Sequence, residues 1–155
     1  MDREILYRAK PLYADTFLDS KDGFVYGVPV RIKMDASMTD RYEMVSCHSH
    51  DEIDYYEILS EDDEIDPNTI GQFTGILDKN GKKIFEGDVL AWEMWLDSDN
   101  PAHKKLVWVE FVNGQFIIRI LEDGMRHRTM SLYSEREYLT VVGNIYDLNF
   151  KSEDK

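Results

Sequence analysis

The chain has 155 residues, of which 43% are hydrophobic, and it carries a formal net charge of −13 at pH 7. This length and apolar content allow a packed core, which excludes wholesale disorder, and no apolar run reaches the 18 or more residues of a membrane span. The charged N-terminus lacks the apolar core of a signal peptide, and the single cysteine, Cys47, cannot form an internal disulfide. We therefore expect a cytoplasmic protein.

The negative charge is concentrated in the first part of the chain. Residues 1–66 contain 17 acidic and 7 basic side chains, whereas residues 67–155 contain 14 acidic and 11 basic ones. Nine of the acids lie between Asp51 and Asp66, in a stretch without lysine or arginine. A field of this sign opposes sliding on nucleic acid and favours a partner with a cationic surface.

Short runs of β-branched and aromatic residues predict strands in the first part of the chain. Residues 5–11 read as an opening strand that ends at a proline, and residues 24–32 read as a second strand. Pro29 in that strand predicts an edge position or a bulge, because proline has no N–H for a ladder. Residues 42–47 and 54–59 predict a second, more polar hairpin.

An acidic joint at residues 60–67 separates the two parts of the chain. Its sequence, S-E-D-D-E-I-D-P, fits either a solvated linker or one short helical turn with a capping box. We expect an acidic β-rich subdomain at residues 1–66, an antiparallel β-barrel at 67–148 and a flexible tail at 149–155. The subdomain is expected to pack on the barrel, so that the two form one cooperative unit.

Glycine turns divide the second part of the chain into short strands. Residues 70–77 and 83–85 flank an Asn80-Gly81 pair, which predicts a type I′ hairpin because both positions require positive φ. Further strands are expected at 89–95, 106–112, 115–121, 125–132 and 138–142. The residues assigned to turns and bends are Gly71, Gly75, Asn80, Gly81, Gly87, Asp88, Asn113, Gly114 and Gly143.

The spacing of these strands determines the predicted fold class. Five or more short strands at intervals of roughly ten residues, joined by Asn-Gly and Asp-Gly turns, are typical of a small barrel or sandwich. No strand–helix alternation is present, so a parallel α/β sheet is not expected. The prediction is a mainly β protein with a small SH3-like antiparallel barrel in its C-terminal half and an N-terminal β-rich subdomain.

Four motifs resemble the YopX family of bacteriophage and prophage proteins. They are R-E-I-L-Y-R-A at residues 3–9, G-F-V-Y-G at 23–27, I-G-Q-F-T-G-I-L-D-K-N-G-K-K-I-F-E-G-D-V at 70–89 and V-V-G-N-I-Y at 141–146. The central block is the specific one. The resemblance implies a β-rich fold and a phage or prophage origin. It implies no catalytic residues, since the family has no assigned biochemical activity.

The candidate metal ligands are His48 and His50, which would share one face of a strand. Zinc sites need three or four ligands, usually well separated in sequence, and no CxxC pair is present, so loop histidines are the favoured interpretation. The sequence also lacks a P-loop, a G-x-G-x-x-G fingerprint and a G-x-S-x-G nucleophile motif. We therefore predict a protein that is not an enzyme and that uses no cofactor.

The acidic run favours a protein-interaction module with an anionic surface, whose partner is a host or phage protein. The acids assigned to that surface are Asp51, Glu52, Asp54, Glu57, Glu61, Asp62, Asp63, Glu64 and Asp66. The alternative is a small β-barrel that binds single-stranded nucleic acid through a basic patch. That patch would consist of Lys82, Lys83, Lys104, Lys105, Arg126 and Arg128. Strand edges also make a homo-oligomer an open alternative.

Overall fold

The computed structural model describes residues 4–13, 22–33, 40–47, 56–57, 64–93, 105–120 and 129–147. Antiparallel strands dominate these ranges, which confirms the predicted mainly β class. The strands are β1 Tyr7–Ala9, β2 Val25–Ile32, β3 Arg41–Cys47, β4 Tyr56–Glu57, β5 Gly71–Leu77, β6 Lys83–Phe85, β7 Asp88–Trp92, β8 Lys105–Val112, β9 Gln115–Ile120, β10 Thr129–Ser131 and β11 Leu139–Asn144. Helical structure there comprises α1, Leu132–Glu135, and 3₁₀ turns at Pro67–Thr69 and Arg136–Tyr138.

The chain divides into two compact units, Met1–Gln72 and Phe73–Lys155, and the division falls inside β5. In the first unit the strand order is β4-β3-β2-β1, followed by the first two residues of β5, and all pairings are antiparallel. Its core contains Ala9, Val25, Met44 and Ile65. These residues come from β1, β2, β3 and the end of the acidic joint, so the joint contributes an apolar anchor as well as charge.

Gly27 and Pro29 shape the middle of β2, where the strand changes partners. Residues 25–27 pair with β1, and residues 28–32 pair with β3. A Cβ atom at Gly27 would lie 2.2 Å from the carbonyl oxygen of Val45, so only glycine allows β3 to approach this closely. Pro29 pairs with Met44 of β3 and lies beyond the residues of β2 that pair with β1. At Pro29 the side of β2 that faces away from β3 is therefore an edge, which suits a residue that has no backbone N–H.

The second unit contains a meander with the strand order β10-β9-β8-β7-β11. β8 and β9 are joined by Asn113 (φ 51°) and Gly114 (φ 83°), two successive left-handed residues that form a type I′ hairpin loop. The register places Val109 opposite Ile118 and Trp108 opposite Arg119. Alternation along both strands therefore separates an apolar face from a face that carries the Trp108 and Arg119 side chains.

The apolar face of this sheet forms the larger core. Its buried members are Ile84, Leu90, Trp92, Val107, Val109, Ile118, Ile120, Leu132 and Leu139. α1 and the β5–β6 hairpin supply Leu132 and Ile84, so elements at both ends of the unit share this core. The predicted strand at 125–132 was wrong at its end, because Leu132 begins α1. A helix of four residues is too short to produce a visible period in the sequence.

The β5–β6 hairpin differs from the predicted type I′ turn. Gly81 has φ 82°, but Asn80 is not among the described residues with positive φ. The N–H of Gly81 donates to the carbonyl of Asp78 at 2.9 Å, and the N–H of Asp78 donates to the carbonyl of Lys82 at 2.8 Å. These bonds close a three-residue loop, the form in which a type I turn is followed by one left-handed glycine.

The strand pairings of the described residues do not close into the predicted SH3-like barrel. β10 and β11 are the two ends of the ladder, and closure would require a ladder between them. The outer edge of β11 instead receives the turn of the β5–β6 hairpin, where the N–H of Lys79 donates to the carbonyl of Leu139 at 3.1 Å. Within the parts of the chain that the structure describes, no helix has the length and apolar character to cross a lipid bilayer.

Candidate interaction surfaces

The acidic segment, residues 51–66, is the main site predicted from charge. Three of its nine acids, Glu57, Glu64 and Asp66, belong to the described residues. The other six, Asp51, Glu52, Asp54, Glu61, Asp62 and Asp63, lie outside them, as do the candidate metal ligands His48 and His50. In the described ranges no group of three or more His, Cys, Asp or Glu side chains is placed to hold a metal ion.

Both described pieces of the acidic segment pair with β3. β4 pairs antiparallel with Ser46 and Cys47 on the side of β3 opposite β2. Glu64 forms an antiparallel bridge with Glu43, whose other neighbour is Val30 of β2. Residues 58–63 therefore connect two pieces that run along the same edge of β3.

The end of the acidic segment is fixed by backbone hydrogen bonds. The N–H of Ile65 donates to the carbonyl of Tyr42 at 2.9 Å, and the N–H of Leu12 donates to the carbonyl of Glu64 at 2.7 Å. The N–H of Asp66 donates to the carbonyl of Lys10 at 2.9 Å. Because the side chain of Ile65 is also buried in the core, this end of the segment is held from both sides.

Two acids of the segment, Glu64 and Asp66, already interact with groups within the chain. Arg41 lies 3.1 Å from the carboxylate of Glu43 and 4.0 Å from that of Glu64, so Glu64 already faces a cation within the chain. The carboxylate of Asp66 accepts the N–H of Asn68 at 2.9 Å and caps the 3₁₀ turn that follows. Asp66 therefore has a structural role that its place in an acidic run did not indicate.

A second charged surface is formed by the turn of the β5–β6 hairpin. Asp78 is buried, and its carboxylate accepts the N–H groups of Asn80 at 2.8 Å, Lys82 at 2.9 Å and Val141 at 3.0 Å. This carboxylate fixes the turn and fastens it to β11. The ammonium of Lys79 lies 2.6 Å from the carboxylate of Glu93, so this lysine is paired.

The predicted nucleic-acid patch is only partly described. Lys82 is exposed in the hairpin turn, and the ammonium of Lys83 lies 5.3 Å from the centre of the Phe73 ring. Lys105 is exposed at the start of β8, opposite Trp92 of β7. Lys104, Arg126 and Arg128 lie outside the described residues.

Two tryptophans that could have stacked on bases make internal hydrogen bonds. The indole N–H of Trp92 donates to the carboxylate of Glu135 at 3.2 Å, and Trp92 is buried. The indole N–H of Trp108 donates to Glu110 at 2.6 Å. Both indoles serve the fold, and Trp92 has no open face for a base to stack on.

The Gly87-Asp88 corner serves backbone geometry. Gly87 has φ 80°, and a Cβ atom there would lie 3.1 Å from the ring of Tyr146. Its N–H donates to the carbonyl of Val109 at 3.0 Å, and its carbonyl accepts the N–H of Ile145 at 2.9 Å. The buried carboxylate of Asp88 accepts the N–H of Phe85 at 2.8 Å. The corner thus joins three segments of the unit.

The remaining predicted turn residues have different backbone roles. Gly75 has φ 80° and lies where the β5–β6 register shifts between Phe73 and Leu77. Gly143 lies at the register shift in the β7–β11 ladder. Gly71 is buried at the start of β5, opposite Arg8 of β1.

A polar network on β8 and β9 was not predicted. Arg119 donates through Nε and Nη2 to Glu110 Oε2 at 3.0 and 2.6 Å, while the other oxygen of Glu110 accepts from Trp108. Hydrogen bonding to this carboxylate raises the pKa of the Arg119 guanidinium. The sequence did contain a signal, because a two-residue Asn113-Gly114 loop already places residue 108 opposite residue 119.

A second unpredicted cluster lies on β1, on β2 and on the residues that flank them. The Arg8 guanidinium lies 4.2 Å and the Lys10 ammonium 4.1 Å from the centre of the buried Phe24 ring. The hydroxyl of Tyr26 donates to the carboxylate of Asp22. Burial raises the pKa of the Tyr26 hydroxyl above its usual range, and the carboxylate of Asp22 raises it further.

Comparison with solved structures found the crystal structure of protein EF1440 from Enterococcus faecalis. The two chains are 20% identical, and the match covers 93% of this chain and 94% of the EF1440 chain. Their superposition has a TM-score of 0.48. At this identity and score the likeness supports no argument about function. The comparison with curated proteins found no match.

The family model described as YopX protein matches residues 29–149. The matched region extends from the middle of β2 past the end of β11, and it contains the acidic segment, the lysine-rich turn and the Gly87-Asp88 corner. It covers more than half of the chain and confirms the resemblance carried by the central motif. The chain therefore belongs to the YopX family.

Proposed function

We propose that the chain is a non-enzymatic interaction module of a bacteriophage or prophage, acting in the bacterial cytoplasm, whose acidic segment engages a cationic surface on a host or phage protein. The observation that carries this proposal is the pairing of both described pieces of the segment, β4 and Glu64, with one edge of β3. The nine acids between Asp51 and Asp66 have no lysine or arginine among them.

The charge of the acidic segment and the anchoring of its ends would each favour association with a cationic partner. Charge of one sign steers an oppositely charged partner and rejects partners of like sign, and it acts on association rate and selectivity more than on raw affinity. Backbone pairing at Glu64 and Ile65 fixes one end of the segment before a partner arrives. Less conformational freedom is then lost on binding than for a segment without anchors.

The SH3-like character expected for residues 67–148 belongs to the same proposal. Its support is the five-strand antiparallel order β10-β9-β8-β7-β11, which is an open sheet in the described residues. Small β-rich scaffolds of this kind host many unrelated binding functions on their loops and edges.

Capture from host lysate at two salt concentrations tests the proposed function. The full chain is immobilised and incubated with lysate at low and at high ionic strength, and the retained proteins are identified. We expect a basic protein to be retained at low salt and released at high salt, because screening weakens interactions between exposed charges. Retention of no protein, or retention that is indifferent to salt, contradicts the proposal.

Single-stranded nucleic-acid binding is the second candidate, and the observation that favours it is the exposure of Lys82 and Lys105 in the less acidic unit. The internal hydrogen bonds of Trp92 and Trp108 and the net charge of −13 weigh against it. A gel shift with short single strands distinguishes the two candidates. Binding that is lost in the Lys104→Glu/Lys105→Glu double variant would favour this second function.

A further inference from the structure

Two Asn-Gly pairs, Asn80-Gly81 and Asn113-Gly114, form the tips of the β5–β6 and β8–β9 hairpins. All four residues are exposed. An asparagine followed by glycine readily closes to a succinimide, because glycine has no side chain to hinder the attack of its own nitrogen on the asparagine side-chain amide. The two pairs are alike in sequence and in exposure, so their hydrogen bonds decide how each of them reacts.

Hydrogen bonds hold the Asn80-Gly81 pair in place. The N–H of Gly81 donates to the carbonyl of Asp78 at 2.9 Å. The buried carboxylate of Asp78 accepts the N–H of Asn80 at 2.8 Å and that of Lys82 at 2.9 Å. The nitrogen of Gly81 must leave its acceptor before it can attack, and the rotation that brings it to the Asn80 side chain also moves the N–H of Lys82. Each bond lost in this way adds to the barrier.

The Asn113-Gly114 pair has no comparable restraint. Its two residues have φ 51° and 83°, and the loop is flanked by the pairing of Val112 with Gln115, the last of the β8–β9 ladder. Among the described residues, the N–H of Gly114 donates no hydrogen bond and the side chain of Asn113 makes none. Opening at the tip of this hairpin is therefore sufficient for the Gly114 nitrogen to reach the Asn113 amide.

We propose that Asn113 is a site of spontaneous modification through a succinimide, and that Asp78 protects the Asn80-Gly81 pair from the same reaction. The reaction involves no partner, so it is independent of the proposed function. Water and hydroxide are the only reagents that it needs.

The atoms of the reaction balance as an amide hydrolysis. Hydroxide removes the proton of the Gly114 N–H, and the nitrogen forms a bond to Cγ of Asn113. The bond from Cγ to the side-chain nitrogen breaks, and that nitrogen takes up a proton from water and leaves as ammonia. Water then opens the five-membered ring. Opening at Cγ gives aspartate, and opening at the backbone carbonyl gives isoaspartate.

The two products differ in their effect on the hairpin. Aspartate keeps the length of the main chain and adds one negative charge to an exposed loop. Isoaspartate carries the main chain through its side-chain carbons, so the loop gains one backbone atom. A two-residue loop with positive φ at both positions sets the register that places Val109 opposite Ile118 in the core. Isoaspartate at position 113 should therefore loosen the β8–β9 hairpin.

Peptide mapping of the full chain by mass spectrometry tests this inference. The folded protein and the protein in urea are incubated in mildly alkaline buffer and digested with pepsin at acidic pH, where succinimide formation is slow. The conversion of amide to acid is followed at both asparagines, and chromatography separates aspartate from isoaspartate. In urea we expect similar rates at the two pairs. In the folded chain, Asn113 should convert and Asn80 should convert more slowly than Asn113 by about tenfold or more.

Asp78→Ala tests the protection directly. Conversion at Asn80 should become faster, whereas conversion at Asn113 in the same variant should keep its rate and so show that the chain remains folded. If this variant unfolds, both rates equal those in urea, and the comparison in the unmodified chain decides. Conversion at Asn80 as fast as at Asn113 in the folded chain overturns the inference. So does an Asn113 that stays intact in the folded chain while it converts in urea, and so does a folded Asp78→Ala chain in which Asn80 remains protected.

Discussion

The carboxylate of Asp78 accepts the backbone N–H of Val141 at 3.0 Å, across 63 positions of the chain. The same carboxylate bonds the N–H groups of Asn80 and Lys82 within its own turn. One buried side chain therefore sets the shape of the β5–β6 turn and attaches it to β11. The position of the neighbouring lysines depends on this carboxylate.

Replacing this carboxylate by an amide should destabilise the second unit. In Asp78→Asn, one oxygen becomes an NH2 group that faces backbone N–H donors, so at least one buried donor loses its acceptor. We expect the free energy of unfolding to fall by about 1–3 kcal/mol, measured by urea denaturation. Glu137→Gln makes the same chemical change on a carboxylate whose side chain is 72% exposed, and it should leave stability unchanged. Equal effects of the two substitutions would contradict the role assigned to Asp78.

Two glycines separate the cost of a left-handed backbone from the cost of crowding. Gly87 and Gly114 have φ 80° and 83°, but a Cβ at Gly87 meets the Tyr146 ring at 3.1 Å, whereas one at Gly114 meets nothing within 4 Å. Gly114→Ala should cost about 1–2 kcal/mol of stability, the usual strain of an L-residue in this region. Gly87→Ala should cost more, measured by the same denaturation experiment. A smaller loss at Gly87 would show that Tyr146 does not pack on the corner.

From the β8–β9 register we expect two apolar residues on the same face of the sheet to differ in how much their replacement by alanine destabilises the protein. Ile118 is fully buried, whereas Phe111, beside the hairpin loop, is 52% exposed and contacts Phe116 with ring centres 5.0 Å apart. Ile118→Ala should reduce the free energy of unfolding by about 2–5 kcal/mol, because it leaves a cavity in the core. Phe111→Ala removes a larger side chain but should have the smaller effect. The reverse order would indicate that the register is displaced.

Tyr26 should make stability depend on pH only in alkaline solution. Burial and the Asp22 carboxylate raise its pKa in the folded protein above the ordinary value of about 10, so the neutral hydroxyl is favoured by folding. This contribution is complete below pH of about 10 and is lost as pH rises toward the folded pKa, because the unfolded chain ionises first. In Tyr26→Phe the midpoint of alkaline unfolding should move to higher pH, because phenylalanine has no hydroxyl to ionise. Tyr133→Phe, at an exposed site, is the control and should leave the transition where it is.

The sequence predicted the fold best where turn chemistry and alternation agree. Asn113-Gly114 determines the β8–β9 hairpin, since a two-residue loop with positive φ at both positions fixes the register that places Val109 opposite Ile118. The Asn80-Gly81 turn was predicted wrongly from the same dipeptide. There, the preceding Asp78 side chain bonds two backbone N–H groups and stabilises a three-residue loop instead.

The candidate sites were less predictable because they depend on pairing between distant segments. The partner of Asp78 is Val141, and no local pattern around residue 78 indicates a bond to β11. Glu64 and Asp66 belong to an acidic run, yet Arg41 and the N–H of Asn68 interact with them within the chain. Composition identifies a charged segment, but only tertiary structure shows which of its charges serve the fold.

Neutralising the acids of the segment is the most direct test of the proposed function. Glu61→Gln/Asp62→Asn/Asp63→Asn removes three negative charges, and Glu137→Gln/Glu153→Gln/Asp154→Asn removes three from the second unit as a control. Each bait is compared with the unmodified chain in capture of basic proteins from lysate, at one low ionic strength. We predict that the first variant loses the captured protein and that the control retains it. Equal capture by both variants would contradict the claim that the acidic segment binds the partner.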